Sequence, residues 1–344
     1  MNSFRPALCG TQLERRLVSR GLGDMNAYRN SRSSPPHRHR GFAAEAPLWK
    51  GQLKPPSSSD QTQSTTITHE ISSLFSRLLL NHRFSSLSAL AEQYDRQAGR
   101  ILPSTLPNGS IQSNQPGERW KARIEDSVVT VAHVITSPSP EESEVHLASG
   151  FFIQPTNSNP CIVTCAHTLY QARHSPCLQE ANARSGTIVV TSSGQSLAIS
   201  HVLSSLPLFD IMLLSYDPMD GFEPISLPVS MYPAQEGTTF RTRFVSPTAV
   251  SLYGGRYADW KTGKIDGYRD FAGRESKPGT YDALSHMIFS PPPTPGTSGA
   301  PIIDCEAGNV VGMVTGSRMY NRVEGLKGWG TPSEAIFELF SLPL

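Results

Sequence analysis

Pro295-Gly296-Thr297-Ser298-Gly299-Ala300-Pro301, followed directly by Ile302-Ile303, sets a serine between two glycines at the entrance to a short apolar run. A serine hydroxyl is a weak nucleophile until a base takes its proton and fixed donors hold the oxyanion that forms, so this loop carries chemistry only with partners elsewhere in the chain. Gly296 has the backbone freedom to turn its own N–H and that of Ser298 toward one point, and Gly299 leaves room beside the hydroxyl. A histidine and a carboxylate are the partners such a serine requires upstream.

Both have candidates. Asp126-Ser-Val-Val-Thr-Val-Ala reads as a first strand, Ala148-Ser149-Gly150-Phe151-Phe152-Ile153 as a second, and Cys161-Ile-Val-Thr-Cys165-Ala166-His167 as a third that runs into a histidine. Asp210 borders the apolar run of Leu-Phe-Asp-Ile-Met-Leu-Leu, and an acid beside a buried run needs a hydrogen-bonding partner. Orienting an imidazole through Nδ1 meets that need. Asp217 and Asp220, in Tyr-Asp-Pro-Met-Asp-Gly, read instead as turn formers. Nine other histidines compete with His167, among them His133 in the similar setting Val-Ala-His-Val. His167 comes first, Asp210 follows after 43 residues and Ser298 after a further 88.

Taken together, Ser149-Gly150-Phe151, Thr164-Cys165-Ala166-His167, Asp210-Ile-Met-Leu-Leu and Gly296-Thr-Ser-Gly-Ala-Pro, in that order, resemble the trypsin-like serine peptidases, especially their HtrA-like and other intracellular branches. The resemblance covers about residues 122–340. It implies an all-β fold of two six-stranded antiparallel barrels of the chymotrypsin type, here behind an N-terminal helical or disordered extension, with His167 and Asp210 on one barrel and Ser298 on the other. It also implies a serine endopeptidase: His167 as general base and acid, Asp210 orienting it, Ser298 as nucleophile forming an acyl-enzyme, and the Gly296 and Ser298 N–H groups as oxyanion hole. The α/β-hydrolases are excluded twice, because they place the serine first and follow it with G-x-S-x-G, whereas Ala300 stands where that second glycine belongs. The rival expectation is a catalytically silent module of the same fold that holds peptides or protein partners.

By the same resemblance the pocket for the side chain before the cut has its base near Pro292 and its wall at Thr315-Gly316-Ser317. No acid stands at the base, so small or medium apolar side chains are expected there rather than Arg or Lys. Two positions depart from the family pattern. Cys165 replaces a small alanine, a change expected to matter only for packing, and Met212 stands where a smaller residue is commoner. The stretch from Tyr253 to Tyr281 is the least family-like, either shaping substrate access or forming a long surface hairpin. Gly328-Trp-Gly-Thr-Pro-Ser-Glu-Ala-Ile resembles a last strand and the start of a C-terminal helix, with Thr331 or Ser333 as its cap.

Composition agrees with such a fold and narrows the partners. Gly (27) and Pro (28) punctuate short Val-, Ile-, Thr-, Phe- and Tyr-rich runs beyond about residue 120, a strand-and-turn texture. The net charge of +1 conceals eight Arg against three acids in residues 1–45, about +5, which leaves about −4 elsewhere. Nucleic acid is therefore not an expected partner of the main domain, and a polypeptide substrate is. Five cysteines, Cys9, Cys161, Cys165, Cys177 and Cys305, form neither a paired set nor the two close pairs of a zinc site. No phosphate loop or dinucleotide fingerprint is present, so no cofactor and no metal are expected. No apolar run is long enough to span a bilayer, and the start lacks the apolar core of a secretory signal, so the chain reads as soluble and intracellular.

The Arg- and Ser-rich residues 1–45, with Leu13 and Leu17 on one helical face and a processing-like Arg40-Gly41-Phe42-Ala43, resemble a mitochondrial targeting segment; the alternative is a disordered basic tail on a cytoplasmic protein. Residues 46–68 read as a linker. Within 69–102, Ile71, Leu74, Phe75, Leu78 and Leu79, then Phe84, Leu87, Leu90, Ala91 and Tyr94, follow helical periodicity and predict two short amphipathic helices. Their apolar faces have three open destinations: the downstream domain, each other or a partner. Residues 103–118 read as a second linker, and 119–344 as the peptidase-like domain.

Overall fold

The computed structural model describes residues 58–82, 84–109, 124–137, 143–180, 182–219, 221–249, 251–252 and 257–342. The targeting-like segment 1–45, residues 46–57 of the first linker, residues 110–118 of the second, and Asp220 lie outside them. Among the described residues no helix is long and apolar enough to cross a membrane.

Six strands close into a barrel in the order β2-β3-β4-β7-β6-β5: β2 (Val128–Thr136), β3 (Glu144–Ile153), β4 (Cys161–Cys165), β5 (Arg184–Val190), β6 (Ser196–Leu206) and β7 (Ile211–Tyr216). All pairings are antiparallel, and β5 returns to β2 to seal the ring. The second sheet contains β8 (Thr239–Val245), β9 (Ala258–Arg269), β10 (Glu275–Ser276), β11 (His286–Ser290), β12 (Pro301–Asp304), β13 (Val310–Asn321) and β14 (Gly325–Pro332), in the order β10-β9-β11-β14-β13-β12-β8. The additional β8–β9 pairing, from Thr239 opposite Lys264 to Val245 opposite Ala258, joins the ends, so six strands form a second ring and β10 hangs from β9. The expected pair of six-stranded antiparallel barrels is the fold observed. The Tyr253–Tyr281 stretch does more than form a surface hairpin: β9 pairs with β8, β10 and β11 and buries Ile265 and Tyr268.

The extension packs on the first barrel. Helix α1 (Ser58–Asn81) presents Ile71, Leu74 and Phe75 to a cluster of Ala132, Val134, Ile188, Tyr257 and neighbours. Gly186 on β5 makes this approach possible: a Cβ there would lie 2.9 Å from the Phe75 ring and 3.0 Å from the Phe84 ring. Helix α2 (Leu87–Arg96), capped by Ser86 through the Ala89 N–H, sends Leu87 and Leu90 into the core that also holds Phe151, Phe152 and Ile162. The open question of where these helices dock is thus answered by the barrel itself, and each fully buried Leu or Phe contributes roughly 2–3 kcal/mol of apolar burial.

Three local expectations are corrected. Residues 58–68, read as linker, are the first turns of α1; once the Ile71–Phe75 stripe is anchored, adding helical residues upstream costs little, even for Ser, Thr and Gln. Within 103–118, also read as linker, Leu102–Thr105 forms β1, which pairs in parallel with β15 (Phe340–Ser341), and Leu106 is buried. Ser333 stands at the N-cap of the terminal helix (Glu334–Phe337), but neither its hydroxyl nor that of Thr331 caps it: Ser333 uses its carbonyl, and the Thr331 hydroxyl donates to the Phe209 carbonyl.

Candidate active site

β4 and β7 lie side by side with Cys165 opposite Ile211, so the residues just past one strand and just before the other are neighbours. His167 begins helix α3 (His167–Arg173), immediately beyond β4. Asp210 ends the turn Pro207–Phe209 in the left-handed conformation, φ 57° and ψ 34°, which a short polar side chain tolerates. Its carboxylate is used on both oxygens. Oδ1 accepts the Ala166 N–H at 3.0 Å and the His167 N–H at 2.8 Å, and Oδ2 accepts Nδ1–H of His167 at 2.6 Å. The ring is thereby oriented with Nε2 away from the carboxylate.

Ser298 arrives on the loop between β11 and β12. Thr297 anchors that loop to β8, its hydroxyl accepting the Val245 N–H at 3.1 Å, while Thr294 donates to the Val245 carbonyl at 2.6 Å. Gly296 (φ 82°) and Gly299 (φ 89°) both require left-handed backbone. At Gly299 the space is also closed, because a Cβ would lie 2.0 Å from the Ser149 carbonyl oxygen and 2.8 Å from the Thr164 hydroxyl. Ser149 on the first barrel holds the loop from the other side, its N–H donating to the Ser298 carbonyl at 2.7 Å and its hydroxyl to the Gly296 carbonyl at 3.1 Å. Among the described residues, neither the Gly296 N–H nor the Ser298 N–H has an acceptor. The Ser298 hydroxyl donates to the Thr315 carbonyl at 3.3 Å, and no hydrogen bond joins it to His167.

Residues 148–313 match the family described as trypsin-like peptidase domain. This part of the chain belongs to the trypsin-like peptidases. No curated protein matches the sequence. Among solved structures, the Rv3671c protease from M. tuberculosis in its active form is 19% identical, with 69% of this chain and 90% of that one covered at a TM-score of 0.42. The MamO protease domain from Magnetospirillum magneticum, in its apo form, is 13% identical, with 63% and 96% covered at a TM-score of 0.39.

Cys165, expected to differ from alanine only in volume, has a larger part in this trypsin-like domain. Its buried sulfur lies 4.0 Å from Nε2 of His167 and 3.7 Å from the Thr168 hydroxyl. Thr168 in turn meets Nε2 of His133 at 3.2 Å, and His133 Nδ1 meets the Thr187 hydroxyl at 2.8 Å. Burial, with His146 and His167 nearby, lowers His133 to about 3, so this fully buried histidine is a neutral link between β2, β5 and α3. At His167 burial opposes the imidazolium, but Cys165 and Asp210 outweigh it and raise the pKa well above its ordinary 6.5. Met212, the other departure, is fully buried opposite Thr164 in the barrel core.

Cys165, His167 and Asp210 also offer one ligand atom each within 4.8 Å of one another, a trio that the cysteine spacing did not disclose. Both Asp210 oxygens are already engaged by N–H donors, and hydrogen bonding accounts for the arrangement without an ion. Of the pocket residues, Thr315 is brought to Ser298 and Gly316 and Ser317 continue along β13, while Pro292 lies on the loop leading to Gly296. Asp217, read as a turn former, pairs with His82 at 2.9 Å. The Ser149 clasp went unread in the sequence, although Ser149 stands in the motif Ser-Gly-Phe that helped to reveal the family.

Proposed function

We propose that the chain is a serine endopeptidase. The observation that carries this reading is the engagement of Asp210 with His167 Nδ1 beside a loop whose Gly296 and Ser298 N–H groups are unclaimed donors. Asp210 fixes the tautomer and stabilises the imidazolium; His167 takes the Ser298 proton as the hydroxyl leaves the Thr315 carbonyl and attacks a peptide carbonyl. The two N–H groups receive the oxyanion. The imidazolium then protonates the departing amine, and water, deprotonated by the same ring, hydrolyses the acyl-enzyme. The segment Ser290-Pro-Pro-Pro-Thr-Pro contains no acid, which supports small or medium apolar side chains before the cut. No metal or cofactor has a part in this scheme. The composition of residues 1–45 supports a mitochondrial address, which imaging of a fusion to that segment tests.

One observation favours the second reading, a peptide-binding module without turnover: Ser298 is bonded to Thr315 rather than to His167. A fluorophosphonate probe separates the two. Labelling of the wild-type protein that disappears in Ser298→Ala is the expected result, and a folded wild-type protein that never labels overturns the enzyme reading.

A further inference from the structure

A row of aromatic side chains in edge-on and tilted contact runs from the Asp210 turn to the strand that receives the Ser298 hydroxyl. Phe209, beside Asp210, meets Phe271 with 5.2 Å between ring centroids; Phe271 meets His286 at 5.9 Å and His286 meets Trp329 at 5.3 Å. The guanidinium of Arg318 closes the row, 4.8 Å above the Trp329 ring. Arg318 lies three residues beyond Thr315 on β13, and Thr315 is fastened to the row through its hydroxyl, which donates to the Trp329 carbonyl at 3.0 Å.

The backbone edge beside this row is open. β12 pairs with β13 only as far as Met313, and from Gly316 onward β13 pairs with β14 alone. An extended peptide whose reacting carbonyl lies at Ser298 and Thr315 adds to that edge in antiparallel sense, so its earlier residues fall beside later β13 positions. Three residues of strand span about 10 Å, which places Arg318 beside a residue about three to four positions before the cut bond.

The charges around the row choose the occupant. Burial and the neighbouring Arg318 lower His286 to about 4, so its ring is neutral near pH 7 and the wall is apolar. Three other cations of this barrel are matched: Arg269 with Glu275 at 3.7 Å, Arg274 with Asp270 at 2.6 Å, and Lys327 with Asp266 at 3.0 Å and Glu324 at 3.4 Å, whereas Lys261 and Lys264, farther along β9, form no ion pair among the described residues. Arg318 is exposed and, among the described residues, lies within ion-pair distance of no carboxylate, Asp210 attracting it only at longer range. An exposed guanidinium resting 4.8 Å from an indole centroid matches the planar fork of a carboxylate. Glu236, Asp266, Glu275 and Glu324 line one pocket of the same barrel, which therefore offers no broad basic surface to a polyanion such as nucleic acid, so a single carboxylate fits better.

We propose that Arg318, backed by Trp329, forms a subsite that selects substrates with an aspartate or glutamate about three to four residues before the cut bond. The proposal rests on the peptidase reading, and its test is built to fail separately. Labelled peptides identical except for Glu or Gln at one position at a time are titrated into the Ser298→Ala protein and followed by fluorescence polarisation, which needs no turnover. The expected result is a roughly tenfold or greater preference for Glu at that one position, weakening as salt is raised. Arg318→Gln abolishes the preference, Arg318→Lys retains part of it, and Arg318→Glu reverses it toward a Lys peptide, a reversal that misfolding cannot produce. Equal binding of Glu and Gln peptides at every position, or a Glu preference that survives Arg318→Gln, overturns the proposal. Failure of fluorophosphonate labelling in the wild-type protein overturns the enzyme reading instead and leaves this binding result intact.

Discussion

Asp210 Oδ2 accepts Nδ1–H of His167 at 2.6 Å while Oδ1 of the same carboxylate receives the two N–H groups at the start of α3. One side chain thus fixes both the ring and the backbone that carries it. Asn at 210 tolerates the left-handed backbone and retains an oxygen for the two N–H groups, but its amide leads the ring toward the wrong tautomer. Asp210→Asn is expected to fold and to label with fluorophosphonate about 10⁴-fold more slowly. Asp210→Ala loses the backbone clamp as well and is expected to melt at a lower temperature, which circular dichroism reads.

Cys165 Sγ lies 4.0 Å from Nε2 of His167, the ring nitrogen that must exchange the serine proton. Because Cys165 and Asp210 together raise the His167 pKa above 6.5, the imidazolium persists at neutral pH and the free base gains population only as pH rises. The labelling rate is therefore expected to climb with pH on the alkaline side of an ordinary histidine. Cys165→Ala removes one of the two causes, so the midpoint moves toward lower pH and the rate at pH 7 increases. A midpoint that stays in place assigns the shift to Asp210 alone.

The fold was readable because its signals were local and ordered. Strand endings such as Thr164-Cys165-Ala166-His167 and Asp210-Ile-Met-Leu, and the glycines about Ser298, mark backbone positions that few residue types satisfy, and their order along the chain selects the architecture. Arrangements made by spatial neighbours without a fixed sequence offset stayed hidden. The Ser149 clasp joins two barrels, the Cys165–Thr168–His133 chain joins two strands and a helix, and the Arg318 row collects residues from a turn, three strands and the loop after β9. Polar composition misled at residues 58–68, where tertiary packing of Ile71 and Phe75 overrides weak local helix preference.

Gly299 has no alternative side chain. A Cβ would come within 2.0 Å of the Ser149 carbonyl, whose oxygen already receives the Thr164 hydroxyl, and the φ of 89° is itself strained for alanine. Gly299→Ala is expected to cost several kcal/mol, of the order of 3, and to separate the Ser298 loop from the first barrel. Urea denaturation measures the first effect. Loss of fluorophosphonate labelling in the fraction that remains folded measures the second.

Phe75 fastens α1 to the barrel against Gly186 and stacks edge-on against Phe84 at 5.1 Å. Phe75→Ala leaves a cavity at this seam and is expected to destabilise by about 3–5 kcal/mol if the helix and barrel unfold as one unit. A smaller loss with an early, separate helix transition in the far-ultraviolet melt shows that α1 is a detachable cover. Either result leaves His167, Asp210 and Ser298 untouched, so labelling of the folded protein is expected to persist.

His133 links acid stability to the interior of the first barrel. Its folded pKa of about 3 lies below the unfolded value of 6.5, so between these values the unfolded chain binds a proton that the native state refuses. Its contribution to stability is therefore full above 6.5 and is lost as pH falls through the window, at about 1.4 kcal/mol per pH unit. His286, lowered to about 4, acts in the same sense, whereas Glu334 and Glu338, raised by burial, act in the opposite one. His167 is raised, so its contribution is full below 6.5, declines at alkaline pH and adds no slope in this window. Comparing His133→Asn with the wild type cancels the shared groups. The variant is expected to be the less stable protein at pH 7, and the gap is expected to narrow by about 1.4 kcal/mol for each unit of acidification between pH 6 and 4.5. Parallel urea-derived stability curves across that range would show that His133 takes up its proton in the folded state after all.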